Sequence, residues 1–287
     1  MSIAVVTDST AYLSPEERKK YNIFMIPLSV TLEDGVYEEE IEIQAQEFYD
    51  KVRNSKVFPK TSQPPIGKFV ELFETLAKDY DEVICIHLSS GISGTFQSAL
   101  QAGSMVEGIV VHGFDSEISC APQGYYAIQA AKMAQEGKSS SEILEKLEEI
   151  KRQMRAYFIV DDLSHLQRGG RLSSAAALVG GLLQIKPVLH FENKVIVPFE
   201  KIRTKKKALN RVEELLAQDA AKYDRLYSMV IHANREREAR EWMAKLQEKF
   251  PNVAFSLSYF GPVIGTHLGE GSLGLGWVPV SEEEQGV

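Results

Sequence analysis

The segment Ser89-Ser90-Gly91-Ile92-Ser93-Gly94-Thr95 packs four hydroxyls and two glycines into seven residues. It follows an apolar run, Val83–Leu88, that reads as a buried strand, and it opens a helical pattern over Phe96–Val106. A glycine-permitted turn at that point aims backbone N–H groups and hydroxyls at one spot beside the positive end of a helix dipole, which suits an anion. The loop has no Gly-Lys-Ser/Thr ending, so it is a poor triphosphate cradle and fits a singly charged group such as a carboxylate better. The same residues also make an ordinary capped turn, and the loop taken alone leaves both readings open.

Other polar groups stand at comparable positions. Thr61-Ser62-Gln63-Pro64-Pro65 precedes an apolar helical pattern and places two hydroxyls at its start, either as caps or as ligand contacts. Thr7-Asp8-Ser9-Thr10 ends the first strand, at the rim where parallel sheets bind ligands, and it reads equally well as a capping turn. His267 lies in a glycine-rich bend, Gly261-Pro262-Val263-Ile264-Gly265-Thr266-His267 followed by Gly269 and Gly271, where an accessible imidazole can donate to an anion. The histidines at 87, 112, 165, 190 and 232 lie mostly in or at the ends of strands and read as packing or surface groups.

A second chemistry is conceivable. Gly91-Ile92-Ser93-Gly94-Thr95 differs by one residue from the Gly-x-Ser-x-Gly elbow, and Ser93, Asp115 and His267 follow the chain order of serine acyl hydrolases. Thr95 replaces the last glycine, and no separate oxyanion motif is evident, so this reading is the weaker one.

A net charge of −8 excludes the basic footprint of a nucleic-acid binder, and any basic partner surface must be local. Two such places occur. Arg168-Gly169-Gly170-Arg171 is a glycine-hinged turn with two guanidinium groups, while Lys201, Arg203, Lys205, Lys206, Lys207 and Arg211 crowd one strand end and the next helix start. Thr204 reads as the cap of that helix, which puts three lysines in a first turn whose dipole disfavours cations by ~0.3–1 kcal/mol each. A local rule broken repeatedly marks either a functional surface or a solvated charge run.

These groups need a scaffold. A chain of 287 residues exceeds what one core usually serves, and 44% hydrophobic with 25% charged residues is globular composition. Strands are expected at Ile3–Asp8, Ile23–Val30, Val83–Leu88 and Ile109–Phe114, with helices at Pro15–Tyr21, Ala45–Asn54, Pro65–Tyr80, Ser93–Val106, Pro122–Glu136 and Ser141–Met154. This alternation is that of a parallel sheet covered by helices. Beyond the expected boundary, which divides the chain into 1–156 and 157–287, strands Tyr157–Asp161, Leu226–His232, Ala254–Tyr259 and Leu273–Val278 join a hairpin of Lys186–Phe191 and Val195–Arg203. Helices Ser174–Gln184, Lys205–Lys222 and Glu236–Phe250 complete a second α/β unit with a mixed sheet.

Ser173 to Ile185, an uncharged and mostly apolar run rich in Ala and Gly, falls short of the ~20 residues of a membrane span, so no transmembrane segment is expected. With no basic region or cleavage site ahead of Ile3, and with Cys85 and Cys120 lacking metal or redox spacing, the expectation is a cytoplasmic protein with two reduced thiols and no metal.

With these residues quoted, the chain resembles the DegV-type fatty acid-binding proteins of bacteria. Val6–Ala11, Thr61–Pro65, Leu88–Ala99, Asp115-Ser116, Leu166–Arg171, Ile185–Pro187, Arg203–Ala208 and Gly261–Gly269 occur in the order seen in that family. The resemblance implies two domains: a three-layer α/β/α domain with a parallel sheet and a two-layer α/β domain with a mixed six-stranded sheet. It also implies one long-chain fatty acid in a tunnel as bound ligand, and no cofactor. Ser93, Thr61 and His267 would contact the carboxylate, with Ser62 close by and help from the amides of Gly94 and Thr95. Members that serve a fatty acid kinase present the carboxylate for phosphorylation, and the acyl phosphate feeds phospholipid synthesis. Arg171 and Arg203, with Lys205, would then face that kinase. A non-catalytic carrier is the main reading, and a lipid-sensing regulator or adaptor the alternative. Pro65 stands where the family's second motif often has serine, which removes one possible hydroxyl.

Overall fold

A computed structural model describes residues 2–172 and 185–281. The chain forms two compact units, Met1–Gln44 with Val57–Arg152, and Ala45–Lys56 with Gln153–Val287. The first unit begins with β1 (Ile3–Asp8), α1 (Pro15–Tyr21) and β2 (Ile23–Ile26). Helix α1 starts on a capping box: the Ser14 hydroxyl accepts from the N–H of Glu17 at 3.2 Å, and the Glu17 carboxylate accepts from the N–H of Ser14 at 2.8 Å.

The expected single strand Ile23–Val30 is two. Pro27 has no N–H to continue the ladder, so the chain leaves the parallel sheet after Ile26 and re-forms as β3 (Ser29–Leu32). β3 pairs antiparallel with β4 (Gly35–Glu38) and β5 (Lys60–Ser62) in a small separate sheet. Between β4 and β5 lies α2 (Ala45–Asn54), which groups with the second unit.

The rest of the first unit is α3 (Ile66–Leu76), β6 (Glu82–His87), α4 (Thr95–Gly103), β7 (Val110–Asp115), α5 (Cys120–Gln135) and α6 (Ser140–Gln153). Its four-stranded sheet is all parallel, in the order β2-β1-β6-β7. Strand burial is nearly continuous, as a sheet covered on both faces requires. Ala4, Val6, Val83 and Cys85 meet Phe69, Phe73, Ala99 and Ala102 from α3 and α4 on one face, while α5 packs on the opposite face. Three layers result.

The second unit comprises, besides α2, β8 (Arg155–Ile159), α7 (Ser164–Arg168), β9 (Val188–Glu192), β10 (Val195–Glu200), α8 (Lys205–Ala220), β11 (Leu226–His232), α9 (Glu236–Lys249), β12 (Val253–Tyr259), α10 (Pro262–Leu268) and β13 (Leu273–Pro279). Its sheet has six strands in the order β10-β9-β8-β13-β11-β12, antiparallel except for β11 and β12. Asn193 and Lys194, at φ 50° and 72°, turn β9 into β10 as a two-residue hairpin. One face buries Val188, Val230, Leu275 and Trp277 against Val212 and Leu216 of α8 and Trp242 and Leu246 of α9. The α/β class with a parallel and a mixed six-stranded sheet is as expected. The expected helix Ser174–Gln184 lies outside the described residues. No helix among the described residues is long and apolar enough to cross a membrane.

Candidate functional site

Strand β6 delivers the hydroxyl-rich loop, and Asp8 fixes where it starts. Asp8 is wholly buried; its Oδ1 accepts from the N–H of Thr10 at 3.0 Å and the Thr10 hydroxyl at 2.6 Å, while Oδ2 accepts from the N–H of Leu88 at 3.0 Å and lies 3.0 Å from Nδ1 of His87. Burial pushes the carboxyl up, but the bonds from His87, Thr10 and Leu88 outweigh it and hold Asp8 below the usual carboxylate range. Of the two readings of Thr7–Thr10, the capping turn is therefore the observed one, and the same carboxylate staples β1 to the end of β6.

Inside the loop most N–H groups are used locally. Ser89 donates to Ile118 O at 2.7 Å, its own carbonyl accepts from Ile92 and Ser93 at 3.1 and 3.2 Å, and its hydroxyl accepts from Gly91 at 3.3 Å. Asp115 accepts from the N–H and hydroxyl of Ser90 at 3.1 and 2.5 Å. The Ser93 hydroxyl lies 2.8 Å from Thr95 Oγ1 and accepts from the Thr95 N–H at 3.3 Å. The expected Thr95 amide is thus engaged with Ser93. What the loop offers lies one step further on: Gly94, the N-cap of α4, supplies no capping side chain, so the first-turn N–H groups after Thr95 take no bond from the cap residue at the positive end of the helix. Neither Ser93–Thr95 nor Asp115–Ser90 is a nucleophile–base contact, so these bonds give the hydrolase order no support.

Thr61 and Ser62 are on β5, not at a helix start; Thr61 pairs with Val30 and Ser62 with Ser29, and α3 begins four residues later with Pro65 at its N-cap. A β-branched threonine followed by paired backbone is strand chemistry, which the prolines behind it masked. The segment nevertheless reaches the loop through a residue that sequence reasoning passed over. Gln63 Nε2 donates to Ser98 Oγ at 2.7 Å, and a Cβ on Gly94 would lie 2.1 Å from Gln63 Oε1. Gly94 is glycine because an amide occupies the space of its side chain. Gln63 sat inside the quoted motif, and its two-sided hydrogen-bonding capacity was the available signal.

In the second unit His267 is on helix α10 and 8% exposed, whereas an accessible bend was expected. Burial, with repulsion from Arg171 and His165, pushes its imidazole down to about 3, so it is neutral at physiological pH and keeps one N–H to donate. His165, expected near a strand, is on α7. Arg171 is half-buried, with Nη1 donating to Gly169 O at 2.6 Å, and Arg203 is exposed. Thr204 caps α8 as expected, accepting from the Lys207 N–H at 3.3 Å. Lys205 is held by Glu238 at 3.1 Å, Gly271 O at 3.0 Å and Asp161 at 3.8 Å, which offsets its unfavourable place in the first turn. Cys85 and Cys120 are buried and free, and burial drives both thiols up, away from thiolate chemistry.

The chain is 59% identical over 278 residues to Protein DegV of Bacillus subtilis (strain 168), covering 96% of this chain and 99% of that one. Its fold superposes with a TM-score of 0.94, at 58% identity, on the crystal structure of DegV, a fatty acid binding protein from Bacillus subtilis, covering 98% of this chain and 100% of that one. A fatty acid binding DegV family protein from Streptococcus agalactiae gives 0.89 at 32% identity, over 98% of this chain and 100% of that one. The family model described as "Uncharacterised protein, DegV family" matches residues 2–280, and the chain belongs to the DegV family.

Proposed function

We propose that this protein is a non-catalytic carrier of one long-chain fatty acid, held by its carboxylate. The observation that carries the reading is the uncapped start of α4, with the Ser93 hydroxyl immediately before it and Gln63 against Gly94. Relatives at 58% and 32% identity are described as fatty acid binding proteins, which supports the choice of anion. Ser93, Thr61 and the first-turn amides after Thr95 hold the head group, Ser62 flanks it, and neutral His267 adds a donor without a competing charge. Each such bond contributes ~1–3 kcal/mol, whereas burying a tail of ~14–18 carbons at ~0.8 kcal/mol per CH₂ contributes more than about ten. The polar groups orient the ligand and the tail retains it.

In this reading the carrier works in the cytoplasm and presents the carboxylate to a fatty acid kinase, whose acyl phosphate product feeds phospholipid synthesis. Arg171 and Arg203 face that kinase, with Lys205 bracing the same rim through its bonds to Glu238 and the Gly271 carbonyl. The test is a titration of delipidated protein with palmitic acid and with hexadecanol, in wild type and Ser93→Ala. The acid binds more tightly than the alcohol, and Ser93→Ala removes most of that preference, by roughly 1–3 kcal/mol. Equal binding of acid and alcohol by the wild type refutes carboxylate recognition; covalent labelling of Ser93 by a serine-hydrolase probe, with ester turnover, refutes the carrier.

A further inference from the structure

Helices α7 and α10 of the second unit meet through a reciprocal exchange of one histidine and one glycine each. A Cβ on Gly169, at the end of α7, would lie 2.1 Å from Nδ1 of His267. One on Gly269, at the end of α10, would lie 2.9 Å from Cδ2 of His165. Each imidazole therefore rests against a stretch of backbone that has no side chain. Gly169 has φ −72°, a conformation open to any residue, so glycine is needed there for room alone. Any side chain would displace the histidine.

The turn beneath His267 is built firmly. Gly170, at φ 68°, reverses the chain, and the Arg171 N–H returns to Leu166 O at 3.0 Å to close the helix end. The Arg171 guanidinium then donates to the Gly169 carbonyl at 2.6 Å, gripping the peptide on which His267 rests. On the other side, Gly265 is closed off by Tyr49, whose hydroxyl would lie 2.3 Å from a Cβ there and donates to Phe260 O at 2.7 Å. Gly169 on one side and the Tyr49-packed turn at Gly265 on the other thus fix the helix that carries His267.

We propose that Gly169 is a positioning residue for His267, and that the Arg171 grip on its carbonyl ties the arginine turn mechanically to the head-group histidine. The inference rests on the reading of His267 as a carboxylate contact. Close-packed interiors transmit displacement, so a shift of the Gly169 peptide reaches the imidazole directly. A partner engaging Arg171 thereby acts on the same ring that holds the ligand.

The experiment uses the full delipidated chain as wild type, Gly169→Ala, His267→Ala and the double variant. Palmitic acid and hexadecanol affinities are measured together with the imidazole nitrogen resonances at neutral pH. Gly169→Ala is expected to weaken palmitic acid about tenfold with little change for hexadecanol, and to move the His267 resonances. Added to His267→Ala, it should cost palmitic acid nothing more, because it acts only through that ring. Additive losses in the double variant, or an unmoved His267 resonance in Gly169→Ala, overturn the proposal. If Gly169→Ala does not fold, Arg171→Lys keeps the charge but loses the planar grip; it should still move the His267 resonances, and unmoved resonances overturn the tie. Wild-type palmitic acid affinity in His267→Ala overturns the carboxylate reading instead, and is read on a different sample from the interlock.

Discussion

Replacing Gly94 by alanine separates the proposed head-group site from the stability of the loop that would carry it. The backbone at Gly94, φ −81° and ψ 3°, suits alanine, so the change introduces no strain of conformation. It introduces a methyl 2.1 Å from Gln63 Oε1 and 3.1 Å from its Cδ, so the amide must swing away and release Ser98 Oγ, now 2.7 Å from Nε2. Losing that bond costs about 0.5–1.5 kcal/mol, and the reduced freedom of the unfolded chain returns about 0.4–1. The two nearly cancel, and the melting temperature should stay within about 4 °C of wild type. Binding has no such offset. The methyl and the displaced amide sit at the uncapped start of α4, and loss of one bond to a charged group, about 1.5–3 kcal/mol, weakens palmitic acid roughly ten- to a hundredfold. Calorimetric titration of delipidated protein beside thermal melts tests both halves. Wild-type affinity in Gly94→Ala refutes the placement of the carboxylate, and a melting temperature lower by more than about 10 °C shows that Gln63 cannot yield and the reasoning about space is wrong.

Three further outcomes follow from other contacts. The Asp8 carboxyl sits below its ordinary range in the folded state, so its contribution is present above the unfolded value of 3.8 and is lost as pH falls through the lower folded one; Asp8→Asn should destabilise at neutral pH by ~1–3 kcal/mol and shrink the difference from wild type as melts are taken below about pH 4. A variant gap that widens in acid contradicts this sign. Tyr49→Phe leaves the buried Phe260 carbonyl without its donor and should lower stability by ~1–3 kcal/mol, and Gly265→Ala, which drives a methyl against the same hydroxyl, should lower it by a similar amount, with the two losses less than additive in denaturant titrations. Arg203 is exposed, and under the proposed carrier role Arg203→Glu should slow association with a fatty acid kinase most at low salt while palmitic acid affinity is retained; unchanged acyl phosphate formation would remove Arg203 from the proposed docking surface.

Much of the scaffold could be read before folding was considered, and the exceptions have physical causes. Continuous apolar runs such as Ile3–Asp8 and Glu82–His87 are legible because a strand covered on both faces has no alternation to confuse. Thr204 announced its helix because a hydroxyl can satisfy a first-turn N–H at no other cost. Pro27 was the missed punctuation within Ile23–Val30, where a residue without an N–H splits one apolar run between two sheets. Helix α2 was found, but its amphipathic pattern says only that one face is buried and not which unit buries it; Tyr49 reaching Phe260 O decides that, 211 residues away.

The site shows the same division. The Ser89–Thr95 loop was legible as a glycine-permitted strand-to-helix turn, because glycine and hydroxyls at such a junction let the chain reverse and bond to itself. The neighbourhood of His267 misled: three glycines in nine residues argue for a bend on propensity. Gly265 is there because the Tyr49 hydroxyl fills the space of a Cβ, and Gly269 because α10 ends with φ 77°. Both reasons are tertiary. Gln63 escaped for a like reason, since an exposed amide beside two prolines carries no mark of the glycine it will cover.

The central claim is that the protein carries a long-chain fatty acid, and the most direct test is mass spectrometry of the intact protein after gentle purification, followed by organic extraction. The account predicts a mass increment equal to a single long-chain acid at about one equivalent per chain, reproduced in the extract and depleted in Ser93→Ala. Repeated extraction that yields no acyl chain, together with no uptake of added palmitic acid, would contradict it.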